Sequence, residues 1–157
     1  MTGPALARRG FLLSAAAGLV VAAPALAAAG PRIHVVTDPG CGCCSAWMRI
    51  LDADGFRVTK EAAAGVALIR YKLDKGVPHS MVSCHTAMVA GYVVEGHVPP
   101  ADIWRLLADR PDAVGLAVPG MPYGSPGMGP ESRREAYDVF LLRRDGSTEV
   151  FASYDAA

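Results

Sequence analysis

The sequence has no excess of either charge: its 15 Lys+Arg match 15 Asp+Glu over 157 residues, with no basic run. That balance argues against nucleic acid or an anionic membrane as a partner. It also has no glycine-rich phosphate loop, no H-E-x-x-H and no G-x-S-x-G, so no hydrolase or transferase site is seen. Beyond the N-terminal segment, no stretch reaches the roughly 20 apolar residues that span a bilayer. Cysteine is scarce. There are four, and three of them fall in residues 41–44, whereas a disulfide scaffold spaces its cysteines to staple separate loops. With 52% apolar residues disorder is excluded, and the length suits one ordinary domain.

The first 27 residues differ from the rest. They hold no acid and two bases, Arg8 and Arg9, followed by an uncharged core from Phe11 to Val21 and a small-residue end at Pro24-Ala25-Leu26-Ala27. This pattern reads as a cleaved export signal over 1–27. An uncleaved anchor is the alternative, since Gly10 to Pro31 carry no charge. Arg8-Arg9-Gly10-Phe11-Leu12 resembles the bacterial twin-arginine signal, departing from it at Ala7 and Leu13. Residues 28–157, with 13 basic against 15 acidic side chains, are then expected to form one soluble periplasmic domain with no membrane contact.

Within that domain, Ile33 to Thr37 reads as a strand and Asp38-Pro39-Gly40 as a turn. Cys44, Trp47, Met48 and Leu51 lie at i, i+3, i+4 and i+7, which predicts a helix that Gly55 stops. Phe56–Thr59 reads as a strand and Ala67–Leu73 as a helix ending at Gly76, followed by an aperiodic segment, Val77 to Thr86. Ala87–Val89 and Tyr92–Glu95 flank a turn at Ala90-Gly91, and Pro99-Pro100 open a helix closed by Pro111. Gly115 to Pro130 reads as one long loop with five Gly and four Pro, and Tyr137–Leu142 and Thr148–Phe151 flank Asp145-Gly146 as a hairpin. This order is α/β. A Cys pair directly after the first strand makes the specific expectation a thioredoxin-like core with an added Gly/Pro/Met loop and C-terminal β-hairpin.

Cys41-Gly42-Cys43-Cys44 contains the C-x-x-C spacing of thiol oxidoreductases with one thiol inserted. A helix N-terminus favours the thiolate, which is both nucleophile and metal ligand. In thioredoxin-like domains, a proline in the loop before the hairpin faces this pair. Here Ser83-Cys84-His85-Thr86 takes that place, bringing a fourth sulfur to the helix start. Disulfide exchange needs only two thiols, while converging soft sulfurs select Cu(I). One Cu(I) with four thiolates would carry −3, so a small multi-copper thiolate cluster is preferred to a single ion. Zinc fits less well, because its structural sites commonly pair two separated knuckles. The alternatives left open are a thiol–disulfide oxidoreductase using Cys41 and Cys44, a structural Cys41–Cys44 disulfide, and a Cys84 that is merely buried. Cys/His hydrolysis would leave three cysteines unexplained.

Met121 and Met128 in the Gly/Pro loop are candidate thioether ligands, or else pin the loop by packing. His85 is a candidate ligand or proton carrier, and His97 a candidate ligand. His34 and His79 read as structural or exposed, and Met48, Met88 and Trp47 as core.

Cys41-Gly42-Cys43-Cys44 with Trp47, Ser83-Cys84-His85-Thr86-Ala87, Glu95-Gly96-His97-Val98-Pro99 and Gly115 to Pro122 through Gly127-Met128, in this order, resemble the CopG-type periplasmic metal-binding family. That family was long filed as a domain of unknown function and is associated with copper resistance. The resemblance covers nearly all of 32–154. It implies a thioredoxin-like fold, copper bound through Cys41, Cys43, Cys44 and Cys84 for copper tolerance with redox conversion of the metal, and other periplasmic copper-handling proteins as partners. Residues 129–135 look locally unusual for the family and bear on how the loop closes over the site.

Overall fold

Strand β1, Arg32–Thr37, is built on Ile33, Val35 and Val36, whose branched side chains are buried. In the computed structural model, which describes residues 30–157, it lies inside a mixed seven-stranded sheet. The elements in chain order are β1, α1 (Gly42–Ala53), β2 (Arg57–Ala62), α2 (Val66–Asp74), β3 (His85–Val89), β4 (Tyr92–Glu95), α3 (Pro100–Asp109), β5 (Gly115–Ala117), β6 (Tyr137–Leu142) and β7 (Thr148–Tyr154). Short 3₁₀ turns occur at His79–Met81 and Glu131–Arg133. The sheet order is β2-β1-β3-β4-β5-β6-β7, with β1/β2 and β4/β5 parallel and the other pairs antiparallel. The export signal expected over 1–27 lies outside the described residues. Among the described residues no helix is long and apolar enough to cross a membrane.

The expected α/β order is found. α1 buries Cys44, Trp47 and Leu51 on one face, and Trp47 donates its Nε1–H to the Val98 carbonyl (2.9 Å). α3 starts with Pro100 at its first position, where the missing N–H costs nothing, and packs Ile103 and Leu106 into the core. Met48 packs against the core and Met88 is half-buried. His79 is exposed, and His34 bonds to Thr59 and Glu61 on β2.

Two sequence expectations need correction. The segment from Gly115 does not begin as a loop: Gly115–Ala117 forms β5, an interior strand with Leu116 and Ala117 fully buried. A three-residue strand is too short for a period to show. Gly115 also lies so close to its neighbour that a Cβ there would be 1.8 Å from the Val93 carbonyl oxygen. The expected C-terminal β-hairpin is present as β6 and β7, which continue the sheet beyond β5. The second correction concerns His85 and Thr86, which are the first residues of β3 rather than loop. Gly115→Ala is expected to separate β4 from β5. Its thermal melting should fall by more than the few degrees that about 1 kcal/mol represents, and an unchanged melting curve would refute this account of the β4–β5 contact.

Candidate metal centre

The antiparallel register that pairs Thr37 with His85 places the end of β1 beside the start of β3. The chain leaves β1 through the Asp38 turn into α1 and enters β3 from Cys84. The start of α1 and Cys84 therefore meet at one end of the sheet. Cys41 is the N-cap of α1, its Sγ accepting from the Cys44 backbone N–H (3.2 Å). Cys41 and Cys44 are joined by a disulfide with a Cα–Cα distance of 5.4 Å, and Cys43 and Cys84 are free thiols. The Cys43 sulfur is 3.4 Å from that of Cys41. All four sulfurs lie within 4.8 Å of one another, so the Cys pair, Cys43 and Cys84 converge as the sequence suggested.

A second donor group shares Cys84. Its sulfur is 3.2 Å from His85 Nδ1 and 3.1 Å from His97 Nε2. His97 Nδ1 lies 2.7 Å from the Pro126 carbonyl oxygen. A carbonyl can only accept, so Nδ1 carries the proton and the Nε2 lone pair faces Cys84. His85 is fully buried, its ring 4.3 Å from that of Trp47, and its Nε2 has no hydrogen-bond partner. Burial holds both imidazoles below their ordinary pKa, His85 well below it with the neighbouring His97 and Lys72 adding to the effect. Burial, and next the adjacent Cys43, pushes the Cys84 thiol up to about 12. Near neutral pH the free site thus holds neutral imidazoles and a protonated Cys84, whose S–H can donate to His97. Four soft sulfurs flanked by neutral imidazoles, one with a buried unpartnered nitrogen, form a donor set suited to a soft cation such as Cu(I) once the disulfide is reduced.

The Gly/Pro loop closes over this end of the domain. Gly127 lies directly on the first turns of α1, where a Cβ would be 2.7 Å from Trp47 N and 2.9 Å from the Cys43 carbonyl oxygen. Gly120 accepts from Ser83 Oγ, next to Cys84. Of the two loop methionines, Met128 is half-buried and follows Gly127, and Met121 is exposed and follows Gly120. The stretch 129–135 ties back to the loop at Tyr123. Glu135 takes the Tyr123 N–H on its side chain (3.1 Å) and gives its own N–H to the Tyr123 carbonyl (2.9 Å).

Sequence reasoning missed a buried polar cluster beside the centre. Lys72 of α2 and Glu95 of β4 form a 2.7 Å ion pair, with both side chains essentially excluded from solvent. Glu95 also accepts from the Ser83 backbone N–H (2.6 Å) and from Thr86 Oγ1 (2.6 Å). One signal was available: Lys72 follows Leu68 by four residues, on the buried face of its helix.

Comparison with known proteins gives three results. Residues 81–128 match the family described as "Protein of unknown function, DUF411". Two solved structures are similar over 80% of this chain and 98% of theirs: "Copper resistance protein copG- Form 1", 49% identical with a TM-score of 0.75, and "Copper resistance protein copG- Form 2", 48% identical with a TM-score of 0.74. No curated protein matches.

Proposed function

This chain belongs to the CopG-type copper resistance family, and from that premise we propose that it binds Cu(I) in the periplasm, as a small multi-copper thiolate cluster, for copper resistance. The observation that carries the proposal is the convergence of four sulfurs from two separate segments within 4.8 Å. A structural disulfide would need only two of them. Cys41, Cys43, Cys44 and Cys84 are the thiolate ligands, with His85 and His97 beside Cys84, and Met121 and Met128 available as soft thioether caps from the loop. The domain spans 28–157 after an export signal, and the strand–helix order with the cysteines at the first helix start supports a thioredoxin-like reading of its core.

The Cys41–Cys44 disulfide must take up two electrons, which leaves two thiolates, before both sulfurs can serve as ligands. Run in reverse, with two Cu(II) ions as oxidant, the two thiolates close to a disulfide and two Cu(I) ions result. That balance would make the site a means of copper redox conversion. The disulfide also favours a second reading, a thiol–disulfide oxidoreductase using Cys41 and Cys44, with Cys43 or Cys84 resolving.

Because the Cys84 thiol is pushed up to about 12, engaging it releases a proton throughout the neutral range. Its contribution to apparent affinity should fall about tenfold for each unit that pH drops. The two histidines, already neutral, should add no further slope near pH 7. Competition with a Cu(I)-selective chromophoric chelator from pH 6 to 8, with reduced wild type and Cys84→Ser, tests this. The wild type should show the steeper dependence, and parallel curves would exclude Cys84 as a ligand. In the same assay, protein kept in the disulfide form should hold fewer copper ions than reduced protein, and equal loading would refute the four-thiolate cluster.

A further inference from the structure

A buried ion pair is poor value for stability, because taking both charges out of water costs about as much as their attraction returns. Replacing such a pair by apolar side chains is often neutral or stabilising. The Lys72–Glu95 pair is fully buried, and its hydrogen bonds lead toward the copper site. Glu95 Oε1 accepts from Lys72 Nζ at 2.7 Å and from the Ser83 backbone N–H at 2.6 Å. Glu95 Oε2 accepts from Thr86 Oγ1 at 2.6 Å, and Lys72 Nζ donates to that same hydroxyl at 3.0 Å.

Each partner adjoins a proposed ligand. Ser83 precedes Cys84, Thr86 follows His85, and Glu95 is separated from His97 only by Gly96. Ser83 lies before the first residue of β3, so its N–H has no place in the sheet ladder and bonds to the Glu95 carboxylate instead. Its remaining tie is to Gly120 of the covering loop. The carboxylate thus fastens Ser83, the residue before Cys84, to the end of β4, two residues before His97.

We propose that Glu95 is a positioning residue for the Cys84 half of the copper site, fixing the Ser83 N–H and so the aim of the Cys84 sulfur at Cys43, with Lys72 as its buried counter-charge. Neither residue touches the metal. The proposal rests on the reading of Cys84 as a copper ligand.

Two double variants separate positioning from charge, since both remove the ion pair. In K72M/E95Q the amide oxygen still accepts from Ser83 N–H, and the amide nitrogen can donate to Thr86. In K72M/E95L no acceptor remains. K72M/E95L should still fold, exchange its Ser83 amide hydrogen at least about tenfold faster in copper-free protein, and bind Cu(I) about 10–100-fold more weakly. K72M/E95Q should stay close to wild type in both exchange and affinity. In a Cys84→Ser background, the K72M/E95L change should cost no further affinity.

Equal losses in the two double variants, or a loss that persists without Cys84, would overturn the proposal. Should K72M/E95L fail to fold, the wild type still decides: an unprotected Ser83 amide in copper-free protein would overturn it. Reduced wild type titrated alongside keeps the two ideas apart. Failure of the wild type to bind Cu(I) removes the copper function, whereas normal wild-type binding with unchanged K72M/E95L affinity removes only the positioning role.

Discussion

Replacing Cys84 by serine is expected to weaken Cu(I) binding by more than about 100-fold, beyond the 10–100-fold typical of residues outside a metal's coordination sphere. The reason is its place in the site: Cys84 belongs both to the four-sulfur group and to the group with His85 and His97, so one substitution damages both. Serine offers a hard oxygen where a soft thiolate is needed. Cys84 is only half-buried and serine is close to it in size, so melting should hardly move. The Cys41–Cys44 pair lies across the gap on α1 and should keep its ability to cycle between dithiol and disulfide. Insulin-reduction activity in Cys84→Ser equal to wild type, with Cu(I) affinity also unchanged, would favour the oxidoreductase reading.

Gly127→Ala is the second large effect. The glycine has φ +87°, and its missing side chain is what lets the loop lie on α1. A methyl group there would meet Trp47 N at 2.7 Å and the Cys43 carbonyl at 2.9 Å, both backbone atoms of a hydrogen-bonded helix. Left-handed strain and overpacking together cost roughly 2–6 kcal/mol if the loop stays in place, so the loop should lift instead. Lifting withdraws the Pro126 carbonyl from His97 Nδ1, now 2.7 Å away, and frees the imidazole to turn away from Cys84. Thermal melting should fall, the amide of Met128, which now donates to Ser125 O at 2.8 Å, should exchange faster, and Cu(I) affinity should drop by about 10–100-fold. A variant that melts and binds like wild type would show that the loop takes no part in the site.

What was legible in the sequence was local. The apolar spacing of Cys44, Trp47 and Leu51 marked α1, Ala90-Gly91 marked the β3–β4 turn, and Pro99-Pro100 marked the start of α3. Crowded sulfurs at a helix start, with Cys84 just before the hairpin, were enough to bring four cysteines to one place. Long-range pairing was less legible. Leu116 and Ala117 sit between a glycine and a proline-rich loop, and pairing with β4 on one side and β6 on the other makes Gly115–Ala117 a strand. Lys72 shares a helix face with Leu68, but Glu95 looks like an ordinary surface charge at the end of a hairpin. Their pairing depends on α2 crossing to β4, which no spacing within either segment reveals. The ring orientations of His85 and His97 depend on Trp47 and Pro126, both distant in sequence.

The most direct measurement is native mass spectrometry of the fully reduced protein titrated anaerobically with Cu(I), with a count of alkylatable thiols at each step. The account requires several copper ions per chain, taken up as Cys41, Cys43, Cys44 and Cys84 all become protected. No retained copper, with Cys43 and Cys84 still reactive and Cys41–Cys44 returning to a disulfide on exposure to air, would contradict it.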